Sequence, residues 1–340
     1  MTATKTLYED FTGIVELPDF LIPWVDRFYE PREIELLHLL KGDALDAAEV
    51  ETRWAGSPGG SCPANIETFL ERSYKRGVLD RSPQRRFTSA NFHTRYDIWA
   101  LFESWQDIPA DVRDSLNRWE LNYYISEHRR WVDDLKQGNR RDTKERWPEY
   151  LLPHEAAALI DAVDHVYLWP CNCRAMFERC RKPKYTCLRF SNNRGIGWEI
   201  SKPRAREIMR EANQKGLMQN GEISVSPDGR IGGALCNCCA DCCFPHLLAE
   251  PLDAQKLWPL SRYAAVVDIE SCTACGRCVR RCPFTAISLD VHDDEQEKSH
   301  IAIDPDLCRG CGVCGTGCKE TAISMIKLDE VDSLFDKLGI

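Results

Sequence analysis

A cysteine pattern written twice constrains this chain of 340 residues more than any other feature. VVDIESCTACGRCVRRCPFTAIS at 266–288 realigns with AIDPDLCRGCGVCGTGCKETAIS at 302–324 after a shift of 36 residues. Each copy reads C-x2-C-x2-C-x3-C, with an apolar strand ending in Asp268 or Asp304 before it and AIS opening a second strand after it. Cysteines in such close step let a tight loop wrap one face of an iron–sulfur cubane. Small residues at Ala274, Gly276, Gly310 and Gly312 leave room for backbone amides to donate to the cluster sulfurs and offset its negative charge. The fourth cysteine of each copy lies too far along to close the same cube. Zinc knuckles, the other use of C-x2-C, pair across a longer gap and need no third cysteine in step.

Cysteine usage elsewhere extends the metal theme. Of the eighteen cysteines, one is Cys62, four lie between Cys171 and Cys187, five between Cys236 and Cys243, and eight between Cys272 and Cys318. The chain is too large, and its cysteine share too low, for a small disulfide scaffold. Vicinal pairs and C-x-x-C spacings in an intracellular protein suit metal better than disulfides. A net charge of -9 and a pI near 5.5 offer no global attraction for nucleic acid or an anionic membrane. The start, MTATKTLYEDFTG, carries acidic residues and no apolar core, so no secretory signal is expected. With no run of about 18 apolar residues, the chain reads as soluble and cytoplasmic, without a membrane span.

Residues 153–258 form a cysteine-rich middle region. HEAAALIDAVDH reads as a helix, and VYLWPC as a short buried strand that delivers Cys171 to its end. Ser201 caps a helix over 203–215, with Pro203 in the first turn and Gly216 as the stop. The first cysteine group is Cys171, Cys173, Cys180 and Cys187, at spacings of two, seven and seven. The second crowds Cys236, Cys238, Cys239, Cys242 and Cys243 into eight residues. Thiols this close repel as thiolates unless a metal neutralises them. Neither group alone makes a good four-ligand cage. Both are therefore expected to act together in at least one further iron–sulfur centre, close enough to exchange electrons with the cubane nearer Cys272. The spacings leave open two more cubanes, one cluster with a zinc, a non-cubane cluster, and a structural zinc or redox-active disulfide patch. Arg174, Arg181, Lys182 and Arg189 interleave with the first group, either to offset cluster charge or as surface charges. His246 follows the second group closely enough to be weighed as a ligand.

Residues 1–105 hold one cysteine and read as an ordinary globular domain. PREIELLHLLKG at 31–42 and a segment near 45–55 suit helices, and NIETFLERSYKRG suits a third, capped by Asn65 and stopped by Gly77. RRFTSANFHTRY then has strand-like chemistry. Three helices followed by a strand or hairpin is the order of a winged helix. Residues 110–137 read as one long amphipathic helix, and 137–150 as a polar linker. Cys62 has no base beside it in the sequence, His93, His128 and His154 suit surface or cap roles, and Trp105, Trp119, Trp131 and Trp147 suit packing. No G-x-G-x-x-G follows an expected strand and no Walker A sequence is present, so nucleotide binding is unsupported.

Residues 260–328 resemble the bacterial 2[4Fe–4S] ferredoxins, with Pro283 after the fourth cysteine of the first copy and Lys319 at that place in the second. In such ferredoxins the fourth cysteine ligates the other cluster. The resemblance thus implies Cys272, Cys275, Cys278 and Cys318 for one cluster, and Cys308, Cys311, Cys314 and Cys282 for the second. Over about residues 150–290, C-x-C-R, two spaced cysteines, a capped helix ending KGLM, C-N-C-C-x-x-C-C and then this module follow one another. That order is similar to the 4Fe–4S binding-domain proteins common in anaerobic bacteria and archaea. The likeness implies a winged-helix-like start and electron transport within a larger redox system.

The expected architecture is α+β: a winged-helix-like domain (1–105), a helical connector (106–152), a cysteine-rich metal or Fe–S domain (153–258), a 2[4Fe–4S] ferredoxin-like domain (259–328) and a tail (329–340). The expected role is single-electron relay through [4Fe–4S] clusters to or from a partner oxidoreductase or carrier protein. The alternatives are an Fe–S enzyme with a catalytic middle cluster and a redox-sensing winged-helix regulator. Helix NIETFLERSYKRG sets Arg72, Lys75 and Arg76 beside Glu67 and Glu71, which offers few phosphate contacts, so no nucleic acid is expected. HDDEQEKSH at 292–300 reads as an acidic hairpin tip, either solvated or a docking patch for a basic partner.

Overall fold

The computed structural model describes residues 11–57, 62–103, 105, 107–139, 145–291, 298–329 and 331–340. Most of the acidic tip at 292–300 and part of the linker at 137–150 lie outside these residues. The chain divides into two compact units, residues 1–120 with 193–196, and residues 121–192 with 197–340.

In the first unit the expected helices form where their caps lie. Pro31–Leu40 has proline in its first turn. Ala47–Ala55 starts at Asp46, which accepts from Glu49 N at 2.9 Å. Ile66–Lys75 starts at Asn65, whose side chain accepts from Thr68 N at 2.9 Å. An antiparallel hairpin follows, Leu79–Arg81 against Phe87–Ser89. The strand-like reading of RRFTSANFHTRY holds only as far as Ser89. Asn91 then accepts from Thr94 N at 3.0 Å and caps a helix, Phe92–Phe102. Burial of its rings decides the matter, for Phe92 and Trp99 both pack on Phe28 with centroids 5.1 and 4.8 Å away. The helix Ala110–Lys136 forms as expected.

The second unit is built on a six-stranded antiparallel sheet. Its strands run in the order Trp147–Leu151, Met218–Val225, Ile231–Cys238, Tyr185–Arg189, Val166–Pro170, Trp198–Ile200. Successive side chains of a strand point to opposite faces. Leu188 and Leu235 pair in register and join Leu151 and Ile223 in a core with residues of the helices Pro153–Ala162 and Lys202–Gln214. Each such Leu or Ile contributes roughly 1.5–3 kcal/mol by leaving water. Cys187, Cys236 and Cys238 stand one residue out of step with those leucines, so they belong to the opposite face.

Two expectations are corrected here. Residues 147–150 are not linker, because Trp147–Leu151 is a sheet strand buried along its whole length. Pro148 and Glu149 hide this strand in the sequence, since neither fits an apolar alternation. Nor is 329–340 a free tail. Ser333 caps the helix Leu334–Leu338, and Leu334 and Phe335 enter the core against Gly221, where a Cβ would collide with the Phe335 ring. Fully buried Glu149 accepts from Ser333 Oγ at 2.7 Å and Leu334 N at 2.8 Å. Arg262 faces Glu149 at 3.6 Å and Glu155 at 2.9 Å, and also binds Asp336. The middle region, the repeated module and the C-terminus therefore share one compact unit.

Within the repeat, Tyr263–Val267 pairs with Ile323–Lys327, and Ile287–Asp290 pairs with His300–Ile303. Each copy's first strand thus pairs with the second strand of the other copy. Among the described residues no helix is long and apolar enough to cross a membrane.

Glu149→Ala removes a buried carboxylate and leaves Arg262 and the start of the last helix without their partner. It should lower stability by about 3–5 kcal/mol, seen as an earlier midpoint in anaerobic guanidinium unfolding. An unchanged midpoint would show that the C-terminal helix does not depend on this network.

Candidate metal centres

The two cysteine runs repeat in backbone conformation as well as in sequence. Ala274 and Gly310 have φ of 50° and 65°, Gly276 and Gly312 of 64° and 73°, and Thr285 and Thr321 of 52° and 53°. Asp268 accepts from Glu270 N at 3.1 Å and Asp304 from Asp306 N at 2.8 Å, so each carboxylate sets the turn into its loop. At Gly310 the left-handed backbone is joined by crowding, since a Cβ there would collide with the Tyr263 carbonyl. Backbone amides point at sulfur, Ala274 N to Cys272 Sγ at 3.5 Å and Ala286 N to Cys282 Sγ at 3.4 Å.

Cys282, Cys308, Cys311 and Cys314 line one pocket, together with Pro283, Ile303 and Met325. The fourth cysteine of the first run therefore stands with three of the second. Cys272 and Cys278 are buried in the apolar cluster around Ile301 and Ile323, and Cys318 packs against that cluster. Cys275 is exposed. Thiols around a cavity, amides aimed at sulfur and a loop with no room for a Cβ together fit [4Fe–4S] groups.

Thiols from both middle groups come together, with Cys187, Cys236 and Cys238 on one face of the sheet. Cys180 Sγ lies 3.6 Å from Cys239 and 3.9 Å from Cys242, and Cys238 lies 3.3 Å from Cys243. Cys173 is in hydrogen-bonding reach of Cys171 and Cys243, and Cys187 of Cys236. A His246 ring nitrogen lies within 4.8 Å of Cys238 and Cys243 sulfurs. Two short helices help place these groups, Asn172–Phe177 starting at Cys171 and Phe244–Ala249 starting at Cys243.

Electrostatics at this face turns on shared protons and one buried cation. A hydrogen bond from Cys242, helped by Arg174 against burial, draws the Cys239 thiol down to about 5. Hydrogen bonds from Cys236 and Cys243 draw Cys238 down to about 6. Arg174 is 1% exposed and donates to Asn237 O at 2.8 Å and to Thr186 Oγ1. Against its burial, the neighbouring Cys171, Cys239 and Cys238 sulfurs favour its charged guanidinium. Of the other interleaved basic residues, Arg189 acts on Cys187, Lys182 bonds the Lys215 carbonyl at 2.6 Å, and Arg181 is exposed. Burial pushes the His246 imidazole down to about 4, so it is neutral at physiological pH. Its Nδ1 meets Tyr150 Oη at 3.0 Å, while its Nε2 is buried without a hydrogen-bond partner. Asn220, fully buried opposite Cys236, has neither side-chain atom satisfied.

Cys311, from the second run, shares a buried cluster with Cys238, Cys243 and Tyr150. The chain folds Tyr150 between them, and the strand that does so was invisible in the sequence. Residues flagged as isolated have structural partners, His93 with Glu120 at 2.7 Å and His128 with Tyr124 O at 2.7 Å, while Cys62 is a half-buried thiol of the first unit. Sequence reasoning underweighted His246, whose only signal is its place three residues after Cys243.

Arg174→Met keeps the packing volume but strips a fully buried cation from among the middle thiols. Loss of one partner from a buried charge set costs about 3–5 kcal/mol, so its anaerobic unfolding midpoint should fall well below that of Arg181→Met. Equal midpoints would demote Arg174 to a surface-like role.

Residues 271–322 match the 4Fe-4S dicluster domain family. No curated protein matches the chain closely enough to add a relative to this comparison. With that match on a module whose loops and cavity suit the group, this is a 4Fe–4S-binding protein with further cysteine groups able to bind metal.

Proposed function

We propose that the protein relays single electrons through two [4Fe–4S] clusters to or from a partner oxidoreductase or carrier protein. The observation that carries this reading is the interlocked repeat, in which strands are exchanged between copies and Cys282 lines a cavity with Cys308, Cys311 and Cys314. It supports crossed ligation, with Cys272, Cys275, Cys278 and Cys318 on one cluster and Cys308, Cys311, Cys314 and Cys282 on the other. A [4Fe–4S] cluster supplies one-electron oxidation and reduction, and the protein sets its potential through charge, amide donors and solvent exposure. Here the first run is the more open. Cys275 is exposed, and Leu289, also exposed, stands over its loop at Gly276. A partner would dock there and exchange electrons across the shortest protein layer. Both runs bury two cysteines, and in the second Cys308 and Cys318 are half-buried where Cys275 of the first is exposed. The middle cysteines of both groups are metal ligands in this reading.

The first unit is proposed as a winged-helix-like docking module that does not bind DNA. Its three helices and hairpin support the likeness, and the charge pairing supports the role. Arg76 meets Glu33 at 3.0 Å, Arg81 meets Glu71 at 2.7 Å, and Arg72 binds Glu30. Cations already paired with carboxylates have little to offer a phosphate backbone.

The full chain, reconstituted anaerobically, should carry about eight irons and eight sulfides in this module. Dithionite reduction should give the EPR of two interacting clusters. Cys318→Ser should damage the cluster of Cys272, Cys275 and Cys278 and spare the other; damage confined to the other cluster would refute the crossed assignment. A protein that takes up no electrons at any accessible potential would refute the relay.

A further inference from the structure

We infer that the middle face holds single tetrahedral metal ions of the zinc class, in place of the further iron–sulfur centre expected from the sequence. One set is Cys238, Cys243 and His246, and the other is Cys180, Cys239 and Cys242. The argument is one of spacing. Ligand sulfurs around one tetrahedral ion, with bonds of about 2.3 Å, stand about 3.8 Å apart. In a cubane each cysteine binds a different iron, so its thiolates are held apart by an iron–iron edge as well. The sulfur separations here are 3.6 and 3.9 Å from Cys180, and 3.3 Å between Cys238 and Cys243. All ligand atoms of each three-residue group lie within 4.8 Å of one another. Among the described residues, the groups so closely gathered include none of the eight cysteines of the repeated module. The same chain thus displays two spacings, a wide one where cubanes fit and a narrow one on the middle face.

His246 supplies an independent observation. One ring nitrogen rests on Tyr150 at 3.0 Å, and the other is buried with no hydrogen-bond partner. A metal-bound imidazole has this arrangement, in which an outer partner fixes the ring and the second nitrogen is free for the ion. Cys173, within hydrogen-bonding reach of Cys171 and Cys243, stands beside the first set. In the second set, backbone amides of Lys182 and Cys242 donate to Cys180 and Cys239, and Cys239-Ala-Asp-Cys242 has knuckle spacing. Thiolates with imidazole in tetrahedral array favour zinc, which carries no electron. The middle face is then a redox-silent scaffold beside Cys311, and the electron path stays within the repeated module.

The test is metal analysis of the full chain, purified anaerobically and passed over a chelating resin. It should retain about two zinc ions, with iron and sulfide at about eight each. Sulfide well above about eight, with zinc below about one per chain, would overturn the inference. His246→Ala should lose half of the zinc and none of the iron or sulfide. His246→Cys should regain the zinc, which separates a lost ligand from a failed fold, and after cobalt substitution it should strengthen the thiolate-to-cobalt charge-transfer band. Full zinc in His246→Ala overturns the assignment of His246. Iron, sulfide and EPR from the same preparation report on the electron-relay reading separately, so either conclusion can fall alone.

Discussion

Sulfur anions gathered on one face of a sheet repel each other, and cancelling that repulsion governs the second unit. Three devices contribute. Protons are shared between neighbouring thiols, as from Cys242 to Cys239. The buried guanidinium of Arg174 lies among Cys171, Cys238 and Cys239. The proposed metal ions are the third, since close thiolates carry an uncompensated charge in a region of low polarity. The sheet makes the face itself. Its alternation sends Leu188 and Leu235 to the helical core and Cys187, Cys236 and Cys238 to the other side.

The repeated module answers the same charge problem by different means. Its loops turn through left-handed backbone at Gly276, Gly310 and Gly312, which frees amides to point at sulfur. Amide dipoles spread a cluster's charge over the backbone, where the middle face relies on one arginine and on shared protons. Strand exchange between the copies then makes each half depend on the other.

Rigidity is extended by ionic contacts that tie distant parts of the chain together. Arg262, at the start of the module, is almost fully buried among Glu149, Glu155 and Asp336. Arg281 reaches from the first cysteine run to the Asn213 and Gln214 carbonyls at 2.9 and 2.8 Å, at the end of the capped helix. Tyr150 and Cys311 meet at the middle face, so the second run is backed by the sheet while the first looks outward. The module is thus anchored to the sheet while Cys275 stays exposed.

What the sequence by itself determined is whatever rests on neighbours along the chain. The spacing of the eight module cysteines, the Asn65 and Ser201 caps, and the helices Ile66–Lys75, Ala110–Lys136 and Lys202–Gln214 all belong here. Loop ligands and helix caps act over two to four residues, so their residue types must appear at fixed offsets. Tertiary structure alone decided the rest. The strand Trp147–Leu151 hides behind Pro148 and a glutamate whose burial makes sense only once Ser333 and Arg262 arrive from more than a hundred residues away. Arg174 and Arg181 look equivalent in the sequence, and only the fold buries one and leaves the other in solvent. His246 becomes a ligand candidate because Tyr150 takes one nitrogen and burial isolates the other. These choices depend on the energy of burying a charge or a polar atom, which is set by groups brought together in space, and adjacency in sequence carries no record of it.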